Sequence, residues 1–227
     1  MRQQTVLIAD TSQDFLLSLA FVLQQKYRVL ICRNSIQAAD LLRDQTVDLL
    51  ILDLSLPHLD RIRLPDNHPI VLATSFLQGP GRTPLPANLN IRFWIQKPAS
   101  AEAIAAKADH LLAQSKAQSA QREVLEEAFS SLGLQQKHDG WDHLLVIVPS
   151  FSSDPHQSFT KILYPQAGKL TGHSAATVDR TIRYALQSAW AQGDPAIWQH
   201  YFPGCCSCPS NSTFIRRMAK ELSSKEE

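Results

Sequence analysis

The chain has 227 residues, enough for two small domains or one large one. Apolar residues make up 44% and charged residues 19%, a globular rather than disordered composition, and only 8 glycines exclude a collagen-like or glycine-linker protein. The 22 basic and 21 acidic side chains leave a net charge of +1, which excludes a chain-wide polybasic binder, yet residues 156–220 carry seven basic groups against two acidic ones.

Val6–Ala9 is a continuous apolar run stopped by Asp10, the pattern of a strand buried on both faces. It is too short for a secretory signal, and no membrane segment is expected: runs such as Leu49–Leu52 and Leu144–Val148 fall far below the ~20 residues of a spanning helix. Phe15, Leu16, Leu19, Val22 and Leu23 follow helical spacing, with Ser12 as N-cap. Tyr27–Cys32 predicts a second strand, Ile36–Leu42 a second helix capped by Asn34 or Ser35, and Val47–Leu52 a third strand stopped by Asp53. Ile70–Ala73 and Ile91–Ile95 predict two more. Strands alternating with helices predict right-handed βαβ units and a parallel sheet. Two helices are missing from the pattern. Pro57, Pro65 and Pro69 after the third strand, and Gly79, Pro80, Gly81, Pro84 and Pro86 after the fourth, predict loops with no more than a helical turn.

From Ser100 the chain turns rich in alanine and glutamine. Ile104, Ala108, Leu111 and Leu112 predict a helix against the sheet, and Val124, Leu125 and Phe129 would let it run on to about residue 131. The polar stretch Ala113–Arg122 marks the junction, giving domains at 1–115 and 128–227 with a linker or helix extension at 116–127. The remainder is helical in pattern. Val178, Ile182, Ala185, Leu186 and Ala189 predict a helix from about Ala175 to Trp190, ended by Gly193; Phe214, Ile215, Met218 and Leu222 predict a last helix capped by Asn211 or Ser212.

The four cysteines are Cys32, Cys205, Cys206 and Cys208, and this clustering is poor geometry for disulfides, so a reducing cytoplasm is expected. His200 with Cys205, Cys206 and Cys208 fits zinc spacing poorly, and a loop of reduced thiols is the expectation. Trp141, Trp190 and Trp198 read as packing residues. His110, His138 and His143 fall on predicted helices with no assigned role.

Functional groups of parallel sheets gather at the carboxyl ends of strands. Asp10, Asp53, Thr74 and Lys97 would converge there. In such a set Asp53 attacks a phosphoryl group while Lys97 and Thr74 bind its oxygens. The segments Leu50–Asp60 and Gln96-Lys97-Pro98 resemble the receiver domain of bacterial response regulators, over about residues 4–118. That resemblance implies a flavodoxin-like five-stranded sheet with its third and fourth helices reduced, Asp53 as phosphoacceptor, Trp94 at the aromatic switch position, and a weakly bound Mg²⁺ at Asp10 and Asp53. The sequence also departs from the family. Thr11 stands where a second acid is usual, and Arg61 where glycine is usual. A pseudo-receiver and a slowly phosphorylated receiver both remain open.

In the basic segment, Thr160–Leu170, a turn at Thr171-Gly172-His173-Ser174, and a helix with Thr177, Asp179, Arg180 and Arg183 on its polar side match a helix-turn-helix. Arginine suits guanine and an acid suits cytosine, while Lys161 and Lys169 suit phosphates. Residues 159–190 and Asn211–Ile215 resemble the effector domain of the stage-zero sporulation protein A family, response regulators that govern endospore formation. The resemblance spans about 128–223. It implies an all-α domain binding promoter DNA, often as a tandem dimer, with Ser174, Thr177, Asp179, Arg180 and Arg183 at the DNA. Thr177 stands where that family usually has arginine.

The sequence thus reads as a cytoplasmic, non-enzymatic transcriptional response regulator with double-stranded promoter DNA as its partner. A homodimer and a phosphotransfer protein or kinase are further candidate partners, and no cofactor is required beyond the weak Mg²⁺ candidate. Its rivals are an interaction protein modulating another regulator through the receiver-like domain, and a small phosphotransfer enzyme acting through Asp53.

Overall fold

The computed structural model describes residues 2–65, 69–76, 89 and 91–224. Two compact units divide it, residues 1–116 and 117–227. Among the described residues no helix is long and apolar enough to cross a membrane.

The first unit is a five-stranded, wholly parallel sheet of β1 (Thr5–Ala9), β2 (Arg28–Cys32), β3 (Leu49–Asp53), β4 (Ile70–Ser75) and β5 (Ile91–Gln96), in the order β2-β1-β3-β4-β5. This is the flavodoxin-like doubly wound order, whose ligands gather outside the strands' carboxyl ends where the order reverses between β1 and β3. β1 and β3 are buried along their whole length, as their unbroken apolar runs require. Side chains alternate between faces. Val6, Ile8, Leu49, Ile51 and Leu72 meet Leu16, Leu19 and Leu23 of α1 (Gln13–Leu23) and Ile104, Ala108 and Leu111 of α3 (Ala101–Ser131). Leu7, Leu50 and Leu52 face Ala38 and Leu42 of α2 (Ser35–Asp44). Ser12 caps α1 by accepting from Phe15 N–H, and Asn34 caps α2 by accepting from Gln37 N–H.

Between β3 and β4 the described residues hold only a 3-10 turn, Leu59–Arg61, after Leu54 and Leu56. Leu56, Leu59 and Ile62 fill the face beside α2 that a third helix would otherwise cover. The expected loop after β4 lies mostly outside the described residues.

α3 is continuous through residue 131, and its later residues Leu125, Ala128 and Phe129 belong to the core of the second unit. That unit adds α4 (Asp139–Ser153), a π-helical turn (Phe159–Leu163) running into α5 (Tyr164–Thr171), α6 (Ala175–Gln192), α7 (Pro195–Tyr201) and α8 (Asn211–Ser224). Phe129, Trp141, Trp198 and Phe214 are 0–2% exposed and anchor one core, with Phe129 meeting Trp141 edge-on at 5.3 Å. α6 outruns its predicted end by two residues. α8 is capped one residue earlier than expected: Ser210 Oγ accepts from Thr213 N–H, while Asn211 is the first helical residue. A hydroxyl three residues before that amide has the reach for the bond; Asn211 is spent elsewhere.

Candidate functional site

The first unit carries an acid site. Asp10 follows β1, Asp53 ends β3, Thr74 lies beside Asp53 in the β3–β4 register, and Lys97 follows β5. All four are buried, between 0 and 7% exposed. The Lys97 ammonium lies 2.5 Å from Asp10 Oδ2 and 2.6 Å from Asp53 Oδ2. The second oxygens are also occupied: Asp10 Oδ1 accepts from Ser12 N–H at 2.9 Å, and Asp53 Oδ1 from Ser55 N–H at 2.8 Å. Above the ammonium stand the rings of Phe15, at 4.7 Å, and Phe76, at 5.4 Å, each a cation–π neighbour.

One ammonium between two buried carboxylates splits them. Burial pushes Asp10 above the usual carboxylate range, and the bonds from Lys97 and Ser12 offset only part of it. Burial acts on Asp53 too, but Lys97 together with the backbone and side chain of Ser55 outweighs it and holds Asp53 below that range. Thr74 Oγ1 and the half-buried Trp94's Nε1 have no hydrogen-bond partner.

A receiver's Mg²⁺ needs open carboxylate oxygens. Here a lysine cation lies between the two acids, bonded to one oxygen of each, and position 11 supplies a threonine in place of a second acid. Among the described residues no cluster of three His, Cys, Asp or Glu side chains is disposed to hold a metal. This arrangement does not fit Mg²⁺.

The second unit carries a helix-turn-helix, α5–turn–α6. Gly172 takes φ +76° at the end of α5, a left-handed backbone that glycine adopts without a Cβ clash. Ser174 then caps α6, its Oγ 3.1 Å from Thr177 N and 2.9 Å from Thr177 Oγ1. These two predicted DNA contacts are therefore partners of each other. Val178, Ile182, Ala185, Leu186 and Ala189 are buried as the spacing predicted. Ala176, Arg180, Arg183, Tyr184 and Gln187 form the exposed stripe opposite.

Asp179 leaves that stripe. It is half-buried, paired with Arg183 Nη2 at 2.6 Å, and accepts from Asn211 Nδ2 at 2.9 Å. The pair borders a groove of about 490 Å³ with Tyr164 and Ser210. Arg180 faces the other flank, in a cleft of about 300 Å³ with Lys137, His138 and Tyr184. Lys161, in the π-helical turn, and Lys169, near the end of α5, are exposed. Sequence reasoning missed Lys137, Tyr184 and Asn211. Tyr184 was within reach, since it stands four residues after Arg180 on the wet face; Asn211 acts across 32 residues and leaves no local signal.

Residues 125–222 match the protein family described as sporulation initiation factor Spo0A C terminal. Solved structures similar to this chain include a CheY-like response regulator receiver domain protein from Methanospirillum hungatei (16% identity, TM-score 0.45, 51% of this chain and 98% of that one). Two more are the response regulator DrrB of Thermotoga maritima, an OmpR/PhoB homolog (16%, 0.44, 50% and 54%), and the chemotaxis response regulator CheY4 of Vibrio cholerae (16%, 0.41, 49% and 99%).

Proposed function

We propose that this chain is a Spo0A-like response regulator, since residues 125–222 match the Spo0A C-terminal family and a five-stranded parallel receiver-like unit precedes them. It is a sequence-specific transcription regulator that acts on promoter DNA in the cytoplasm, and its receiver-like unit works without phosphoryl transfer.

The observation that carries the DNA reading is the exposed stripe of α6, held out by a glycine turn and a serine cap. Arg180 extends from the first turns of α6 and offers a bidentate fork to guanine O6 and N7. Lys161 and Lys169 neutralise phosphates, which fixes register without reading sequence. Asp179 acts at one remove: it aligns Arg183 and ties α6 to the start of α8 through Asn211. Thr177 brings one hydroxyl, already engaged with Ser174, where the resemblance implies an arginine. The preferred operator should differ accordingly.

The phosphate-independent reading rests on the Lys97 ammonium between Asp10 and Asp53. Phosphorylation would require Asp53 to free one of its two carboxylate oxygens, each of which accepts a bond, at a residue only 2% exposed. The unit then serves as a dimerisation or partner-binding module. A second reading has its own observation: Leu17 and Phe21, one turn apart on α1, are 54% and 66% exposed, and favour an interaction protein that engages another regulator.

A titration of the full chain against a promoter-derived duplex and a scrambled one, at two salt concentrations, decides between them. The DNA reading expects tighter binding of the promoter duplex and affinity that falls steeply with salt. Equal, weak binding of both duplexes would transfer support to the interaction reading.

A further inference from the structure

His143 has no part in the function proposed above, yet among the described residues of the second unit it is the most buried polar side chain, at 0% exposure. The backbone explains how it reaches its place. α4 and α6 approach closely at Gly140, where a Cβ would lie 2.5 Å from Thr181 O and 2.8 Å from Ala185 Cβ. Any larger residue there would push the helices apart. His143 follows three residues later on the same face of α4.

From that position one imidazole touches every part of the helix-turn-helix. Its Nδ1 is 2.8 Å from Thr181 Oγ1, on α6. Its Nε2 is 3.0 Å from Thr171 Oγ1, the last residue of α5, and 3.2 Å from His173 Nδ1, in the turn. The two imidazole rings meet edge-on at 5.3 Å.

Proton counting shows what kind of contact this is. Each threonine hydroxyl has one proton. Thr171 Oγ1 lies 2.9 Å from Ala167 O, and Thr181 Oγ1 lies 3.0 Å from Thr177 O. Each hydroxyl can therefore satisfy itself within its own helix. The contacts to His143 run between elements: a neutral imidazole has one N–H, so one ring nitrogen donates to a threonine oxygen while the other accepts, from the other threonine's hydroxyl or from His173. An apolar ring in place of the imidazole leaves no buried hydroxyl without a partner, so hydrogen-bond satisfaction does not demand a histidine here. What the imidazole adds is direction: two nitrogens at fixed angles, one seated on α6 and one on the α5–α6 turn.

We propose that His143 is a positioning residue for DNA recognition, a clasp that sets how α6 is presented relative to α5 and its turn. The inference rests on the DNA-binding reading above. It gives α4, a helix with no residue on the exposed stripe of α6, a part in discrimination. Base readout requires donors placed to within hydrogen-bond tolerance, so a small change in the seating of α6 costs discrimination before it costs phosphate contacts.

The test measures full-length protein binding to the promoter-derived and scrambled duplexes, with thermal unfolding alongside. His143→Phe is expected to fold, to keep the parent's salt dependence, and to lose about ten-fold or more of its preference, the scale of a lost bidentate base contact. His143→Gln, which retains a donor and an acceptor, is expected to recover most of that preference. Thr181→Val cuts the same clasp from the α6 side and should reproduce the loss, which keeps the question decidable if His143→Phe fails to fold. Parental preference in both His143→Phe and Thr181→Val would overturn the positioning role. So would a His143→Gln variant as impaired as His143→Phe. A parent protein that prefers neither duplex would sink the DNA-binding reading itself, a result distinct from either.

Discussion

At the scale of single residues, two buried basic groups sit in opposite settings. Lys97 has an acid on each side. Lys97→Met keeps the volume but leaves Asp10 and Asp53 facing each other without a cation. Removing one partner of a buried ion pair typically costs about 3–5 kcal/mol, and urea unfolding at pH 7 should show a loss of that order. The loss should shrink on acidification, because burial has already raised Asp10 and it takes the first proton. Equal stability of variant and parent at pH 7 would mean the ammonium does not hold the two acids. At His143 burial opposes the charge. Burial lowers its pKa from 6.5, the neighbouring His173 in the turn lowers it further, and Asp139 and Asp142 on its own helix pull the other way. The unfolded chain therefore takes up a proton near pH 6.5 that the folded chain refuses. The stability this supplies is fully present above that pH and is lost as pH falls toward the depressed folded value. The parent's melting temperature should drop between pH 7 and 5.5, and His143→Phe should flatten that slope. An unchanged slope in the variant would assign the acid sensitivity to another group.

At the scale of elements, caps and turns decide where helices begin and end, and the helix-turn-helix depends on two of them. Gly172→Ala forces a Cβ into a left-handed backbone at φ +76°, and Ser174→Ala removes the cap of α6. Each should cost about 1 kcal/mol in denaturant unfolding; a neutral Gly172→Ala would contradict the backbone described for the turn. Such local chemistry is also what made much of the fold legible from sequence. Unbroken apolar runs ending in Asp10 and Asp53 marked β1 and β3, and Ser12 and the Val178–Ala189 stripe marked α1 and α6, because period and capping are written in neighbouring residues. The convergence of Asp10, Asp53 and Lys97 followed from strand ends alone. Less legible was anything made by distant residues. Asp179 had the residue type of a base reader, but Asn211 and Arg183 claim it, and only the fold brings Asn211 there. His143 sat on a predicted helix without meaning until Gly140 let α4 close on α6. Pro149 stands inside α4, where composition argues for a break; packing on α6 and α8 holds the helix together.

At the scale of the whole molecule, the two units pose one question: whether the acid site of the first signals to the second by phosphorylation. The arithmetic of the site argues that it does not. A phosphoryl group on Asp53 adds negative charge beside Asp10, and the neutralising charge available is a single lysine already shared between two acids. Receiver chemistry leaves that neutralisation to a divalent cation, and a cation wants the carboxylate that Thr11 does not provide. Incubating the full chain with a small phosphodonor and Mg²⁺ should therefore leave its intact mass unchanged, under conditions that label an ordinary receiver. Its preference for the promoter duplex should be the same with and without the phosphodonor. Thr11→Asp supplies a third carboxylate at the carboxyl end of β1 and is the variant expected to gain Mg²⁺ binding, read as a Mg²⁺-dependent rise in melting temperature that the parent lacks. An adduct on parental Asp53, abolished by Asp53→Asn, would overturn the phosphate-independent reading and make Lys97 a gate that a phosphodonor opens.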